Sequence, residues 1–359
     1  MIYFNYKEEL HMQPKNPFTL TFGVVPNNYI HRAEAEEEIR LKFLESDTGL
    51  MYLITGVRGS GKTVFMANIV DHVSQDKEWI VVDLNNNLDL FKSTYAKLSA
   101  SHKIGIPQVS TKLELSAPGI TLSLQEKDMQ YSSLETAIEE QLNKAKKKHL
   151  KVLLAIDEIT SNEETKKFIT SFHIFIRHKL PVYLICNGLP GQVFHLQEEP
   201  SMTFLYRAPK IELEPLDMNS IYSQYKALLQ ADKQTAVKLA KYTKGYPFAY
   251  QLLGSIVWDN KKEYSDALLE KYDDILAQYV YNKIYSELSE KELQIVTYMC
   301  ESNETKVASI LNGLHMSSSA FSPYRDRLLK KGIAFSRKRG ELDIALPRFA
   351  EFLKNRILF

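Results

Sequence analysis

Residues Met51 to Val73, MYLITGVRGSGKTVFMANIVDHV, constrain this chain more than any other stretch. A short apolar run leads to Gly56, Gly59 and Gly61, then Lys62 and Thr63, and then Val64, Phe65, Ile69 and Val73 at helical spacing. The order is strand, loop, helix. Backbone N–H groups converge on an anion only where a loop adopts conformations that glycine tolerates, and the three glycines supply that freedom. A helix beginning near Lys62 aims its free N–H groups and positive dipole end at the same point. The predicted occupant is the phosphate chain of a nucleotide, cradled by Gly56, Gly59, Ser60, Gly61, Lys62, Thr63 and Val64. Lys62 supplies a point charge for the outer phosphates, and the Thr63 hydroxyl is placed to ligate magnesium. The competing reading, a glycine-rich turn with no ligand, fits the flanking strand and helix less well.

Three more apolar runs of strand length, Trp79 to Asn85, Val152 to Ile156 and the stretch LPVYLICNGLP, alternate with helical patterns, as a buried parallel sheet requires. The second run delivers Asp157 and Glu158 at its C-terminal end, 95 residues beyond Lys62. That end faces the ligand in open α/β sheets. An aspartate there can hold magnesium, and the adjacent carboxylate can orient and deprotonate an attacking water. Helix capping is the plainer alternative. Asn187 ends the next strand. If that strand lies beside the one carrying Asp157, its amide can reach a γ-phosphate or the attacking water; before Gly188 it can equally be a turn residue. Arg207 precedes a last short strand, Lys210 to Leu213, where it can complete a neighbouring subunit's site or form a surface ion pair.

At 359 residues the chain exceeds one comfortable core. The expected organisation is an N-terminal extension over 1–16, an α/β core over 17–214, a helical lid over 215–280 and a third unit over 281–359. Within the core, alternation around Ala117-Pro118-Gly119 predicts a hairpin insertion near 103–127. The aromatic, proline-bearing approach from Phe22 to Arg32 either packs on the nucleotide base or is a structural lead-in. From Ala33, Ile39, Leu41 and Phe43 sit among charges, as on an exposed helix. The lysines at 144, 146, 147 and 148 read as a solvated helix end rather than a nucleic-acid patch. The third unit reads as three helices, the last from Pro323 to Lys331, and a β-hairpin, which is the winged-helix order. Its third helix and wing carry Arg325, Arg327, Lys330, Lys331, Arg337, Lys338 and Arg339 against one acid, Asp326, a local charge of +6. Double-stranded DNA is one partner such a surface fits; protein docking is the other.

The overall charge of +1 excludes bulk attraction to polyanions. Cys186 and Cys300, far apart in apolar settings, suggest neither a disulfide framework nor a zinc site. The start of the chain lacks a signal-peptide pattern, and no run approaches the ~18 apolar residues of a membrane span. A reducing cytoplasm is the expected setting.

Together these residues resemble AAA+-related P-loop ATPases, specifically the archaeal-ATPase branch of the signal-transduction (STAND) ATPases, which is similar to origin-recognition ATPases. GVRGSGKT corresponds to Walker A, VLLAIDEI to Walker B and LICNG to sensor 1. Tyr29-Ile30-His31-Arg32 resembles the family's aromatic-Ile-Gly-Arg element by the adenine, with His31 in place of glycine. FLYRAPKIELEPL resembles its Gly-Arg element, with Arg207 matching the arginine. TKGYPF matches the Gly-x-Pro element of the lid, which brings Tyr246 and Pro247 towards the nucleotide. The resemblance implies an α/β fold, with a parallel-sheet P-loop NTPase core, a helical lid and a C-terminal winged helix. It also implies ATP and Mg2+ as cofactors. The expected function is slow ATP hydrolysis by a nucleotide-controlled switch, alone or as a homo-oligomer. The alternatives are a signalling or assembly ATPase whose winged helix binds protein, and a nucleotide binder that never hydrolyses.

Overall fold

The computed structural model describes residues 15–21, 23–46, 49–105, 113–117, 120–124, 131–336 and 338–357. The first half reads α1 (Ala33–Glu45), β1 (Met51–Thr55), α2 (Lys62–Ser74), β2 (Trp79–Asn85), α3 (Leu90–Ala100), a hairpin of β3 (Leu113–Ala117) and β4 (Ile120–Leu124), and α4 (Tyr131–Lys147). β5 (Lys151–Asp157), α5 (Glu163–Arg177), β6 (Val182–Gly188), α6 (Pro190–Glu198), a 3-10 helix (Pro200–Arg207) and β7 (Lys210–Glu212) follow. Five of these strands form a parallel sheet in the order β2-β5-β6-β1-β7.

Successive side chains on a strand face opposite ways, and the two faces of this sheet carry different cores. Leu53, Leu154, Ile156 and Leu184 pack against α3, α4, α5 and α6, while Tyr52, Ile54, Leu153 and Ile185 pack against α1 and α2. The result is a three-layer sandwich. Here α1 departs from expectation: Ile39 and Phe43 are buried beneath the sheet, while Leu41 and Leu44 face water. Ile39 and Phe43 lie four apart, one turn of a helix, so a single face covers the sheet while charges occupy the rest.

The second half is helical: α7 (Met218–Leu229), α8 (Lys233–Thr243), α9 (Pro247–Asp259), α10 (Leu268–Leu276), a π-helical turn (Ala277–Tyr281) and α11 (Asn282–Ser286). Next come α12 (Glu290–Ser302), α13 (Val307–Gly313), α14 (Ser318–Lys330), the strands β8 (Ala334–Phe335) and β9 (Asp343–Ile344), and α15 (Phe349–Ile357). The short strands pair antiparallel. α14 starts five residues before Pro323, because Ser317 caps it by accepting from the Ala320 N–H. Pro323 then forfeits one early intrahelical bond, on an exposed part of the helix.

A single hydrophobic core runs from Leu216 through α7–α10 and on to Leu353, with no break between lid and C-terminal unit. Phe18 and Ile30 of the lead-in segment belong to it. The Phe18 ring lies 5.9 Å from Tyr225 and 5.8 Å from Tyr250, and Asn28 donates to the Tyr250 hydroxyl at 3.0 Å. The segment before α1 is thereby stitched to the lid. No helix among the described residues is long and apolar enough to cross a membrane.

Candidate functional site

The C-terminal ends of β1, β5 and β6 open into a cavity of about 810 Å³, which the lead-in segment, α9 and the π-helical turn also line. The loop between β1 and α2 forms its floor. Gly59 sits there at φ +77°, and a Cβ on it would lie 2.1 Å from the Tyr246 hydroxyl, which donates to the Arg58 carbonyl. Only glycine fits. Pro247, first residue of α9, stands 3.7 Å from where a Cβ on Gly61 would be, so the lid touches the loop directly.

Lys62 donates to the Val57 carbonyl at 2.8 Å, inside the loop. Burial and the neighbouring Arg58 push its amine down to about 8, partly opposed by Asp157 and Glu158. An anion in the loop would relieve that cost. Thr63 donates to the two carboxylate oxygens of Asp157 at 3.2 and 3.0 Å, although they lie 94 residues apart. A hydroxyl and a carboxylate so close are hard oxygen donors of the kind Mg2+ takes, with waters and phosphates filling its remaining positions. No cluster of three or more His, Cys, Asp or Glu able to hold a metal occurs among the described residues. The donor set suits an ion shared with a phosphate rather than a full protein cage. Ser60 Oγ is buried in the loop without a hydrogen-bond partner among the described residues. Val64 lines the cavity beside Thr63.

Glu158 follows Asp157 with φ at +53°, a conformation that costs about 1–2 kcal/mol outside glycine and holds only when surroundings impose it. Its N–H donates to Asp157 Oδ1 and to Asn187 Oδ1, both at 3.1 Å, and its carbonyl accepts from Asn86 at 3.1 Å. The exposed carboxylate is thus aimed by a fixed backbone. Asn187 is fully buried, its amide nitrogen 3.6 Å from the Met66 sulfur, and it does not line the cavity. Its strand does lie between β5 and β1. Asn86, one residue past β2, escaped the sequence reading; it also donates to Thr160 and accepts from Thr165.

Arg32 reaches the loop, donating to the carbonyls of Ser60 at 3.2 Å and Glu214 at 3.1 Å. Arg207 ends the 3-10 helix, exposed and outside the cavity lining.

The basic residues of the C-terminal unit have different surroundings. Glu292, with 1% of its side chain exposed, binds Arg327 at 3.0 Å and Lys331 at 2.8 Å. Burial alone would raise that carboxyl, but Lys331, the Ser289 N–H and hydroxyl, and Arg327 outweigh it and hold the pKa at about 2. The Lys330 ammonium lies 3.8 Å over the Phe194 ring of α6. Arg325 contacts Asp326; Lys338 and Arg339 are exposed at the hairpin tip, and Arg337 lies outside the described residues.

The same unit meets the phosphate loop. A Cβ on Gly332 would fall 1.4 Å from a Val57 methyl, and Arg58 pairs with Glu287 at 3.6 Å. Lys331 also donates to the Glu287 carbonyl, at 2.8 Å.

A family model described as a domain of unknown function (DUF8462) matches residues 278–353. No curated protein matches the chain. Among solved structures, the ORC2 protein of Aeropyrum pernix in its ADPNP-ADP complexes aligns at TM-score 0.56 and 14% identity, over 95% of this chain and 98% of that one. Its ADP form aligns at 0.51, over 93% and 97%. Cdc6p of Pyrobaculum aerophilum aligns at 0.50 and 14% identity, over 94% and 96%. The chain has the α/β fold of these archaeal ORC and Cdc6 P-loop ATPases.

Proposed function

We propose that this chain is an ATP-binding, Mg2+-dependent P-loop ATPase that works as a nucleotide-controlled switch. One observation carries the reading: Thr63 and Asp157, 94 residues apart in sequence, meet at 3.0 Å directly beside the loop that holds Lys62. Magnesium, when held by those two side chains, offsets charge on the phosphate oxygens. Lys62 turns from the Val57 carbonyl to the outer phosphates. Glu158 takes the proton of the attacking water, and Asn187 and Asn86 hold its backbone in place. Arg32, Tyr246 and Pro247 fix the loop from the lid side. The ORC2 protein in its ADPNP-ADP complexes supports ATP as the nucleotide.

The switch follows from what touches the loop. When Lys62 leaves the Val57 carbonyl, Val57 shifts against Gly332, and the C-terminal unit registers the change. Turnover is slow, because a switch gains from a long-lived ATP state. Phosphate release tests the chemistry. Lys62→Ala loses ATP binding, while Glu158→Gln keeps it and releases phosphate ~100-fold to 10,000-fold more slowly. Equal rates in wild type and Glu158→Gln would remove Glu158 as the base.

The C-terminal unit is a winged helix that docks on protein in this state, since Lys330 and Gly332 meet the ATPase core at Phe194 and Val57. Exposed Tyr206 and Arg207 offer a surface to a second subunit or partner. Duplex DNA is the second reading, favoured by exposed Lys338 and Arg339 at the hairpin tip. Salt-titrated binding to duplex DNA decides it: a wild-type affinity that falls steeply with salt, and that Lys338→Glu/Arg339→Glu removes, would place DNA first.

A further inference from the structure

We infer that Tyr279 stacks on the base of the bound nucleotide, so that the junction between lid and C-terminal unit forms one wall of the nucleotide site. This rests on the ATP-binding reading and adds a residue to it.

Three observations converge. First, eight large hydrophobic side chains stand exposed among the described residues, and three of them, Leu20 (39%), Val24 (52%) and Tyr279 (55%), line the same cavity. Isolated exposed apolar side chains are ordinary, but a set gathered in one concave site marks a ligand surface. The loop and Asp157 supply the charged side of this cavity. These residues, with Pro26 and Phe248, supply an apolar side of the kind a planar base requires.

Second, Tyr279 sits in the middle of the π-helical turn Ala277–Tyr281. Helical backbone continues on both sides, so this is one widened turn inside a longer helix. Such turns are rare and recur at functional sites, because the extra residue redirects side chains that a regular helix would align. Here Tyr272, Leu276, Val280 and Ile284 form a buried stripe at steps of four. Tyr279 is left facing the cavity, its ring centroid 6.2 Å from that of Phe248 on α9. The two rings, inclined at 39°, make an aromatic corner.

Third, the π-helical turn stands where the lid runs into α11, and Tyr279 and Val280 line the cavity from that junction. The C-terminal unit itself meets the phosphate loop through Gly332 and Glu287. A base stacked on Tyr279 pulls on the same helix that carries Glu287 at its end.

Calorimetric titration of the full chain with ATP, and separately with inorganic tripolyphosphate, tests this. Alanine substitution removes the ring on which a base stacks. Tyr279→Ala is expected to weaken ATP about tenfold and to leave tripolyphosphate unchanged, while Tyr279→Phe retains both affinities. An ATP affinity of Tyr279→Ala within twofold of wild type overturns the inference, as does equal weakening of both ligands. The parent reading fails separately: a folded wild type that takes up no ATP sinks both, whereas ATP binding that Lys62→Ala abolishes and Tyr279→Ala spares sinks this one alone.

Discussion

The phosphate loop is held on two faces by different means. On the sheet face, Thr63 meets Asp157, and Glu158 is fixed by a hydrogen bond its N–H donates to Asn187 and one its carbonyl accepts from Asn86. Asn86, Asp157, Glu158 and Asn187 stand on or just past strands β2, β5 and β6 in a continuous parallel ladder, where no residue moves without breaking register. On the C-terminal face, the contacts are a methyl on Gly332, a half-exposed ion pair between Arg58 and Glu287, and Lys330 over Phe194. An ion pair of that exposure contributes at most ~1 kcal/mol. The sheet face is the more firmly held of the two. The switch proposed above would draw on both: a rigid frame for chemistry and a weak, shape-dependent contact that a small movement of Val57 would undo.

The largest effect expected on the separable side comes from Glu292, which ties α14 to α12 just behind the contact. Removing it strips Arg327, Lys331 and the Ser289 cap of a shared carboxylate, so Glu292→Ala should cost about 2–3 kcal/mol of unfolding free energy by denaturant titration. The pH dependence has a definite sign. The folded pKa of about 2 lies below the unfolded value of 4.5, so this stabilisation is present above pH 4.5 and disappears between 4.5 and 2. Wild type and Glu292→Gln should therefore converge in stability through that window. Parallel curves would show that Glu292 does not anchor the unit.

A smaller effect isolates the contact itself. Gly332 has φ at +64° and no room for a side chain against Val57. Gly332→Ala should destabilise by about 1–2 kcal/mol and raise protease sensitivity between the unit and the core. Val57→Ala in the same chain clears the overlap and should restore part of the loss, a coupling a double-mutant cycle measures. Strict additivity of the two substitutions would mean that the two residues do not meet in solution.

The P-loop, the five core strands and the carboxylate pair were legible because each is a contiguous pattern: an apolar run, then the polar residues that must follow it. Asn187 was placed on the correct strand, but its role was not readable. Whether its amide faces a cavity or a neighbouring backbone depends on side-chain packing against Met66. Asn86 carried no signal, since an asparagine after a strand looks like any turn residue until β2 lies beside β5. The charge count over α14 and the hairpin could not show that Glu292, 33 residues before Arg325, holds two of those cations. α6, α10 and the π-helical turn were unread, being short or weakly periodic.

Local order along the chain therefore settles which chemistry is available: anion binding at Gly56 to Thr63 and carboxylates at the end of β5. Those are short-range matters of backbone conformation and strand polarity. Which residues face that chemistry from a distance was decided by folding. A continuous core from Leu216 to Leu353 carries Gly332 and Glu287 back onto the loop and Tyr279 to the cavity, and contacts separated by more than 200 residues obey packing rather than spacing.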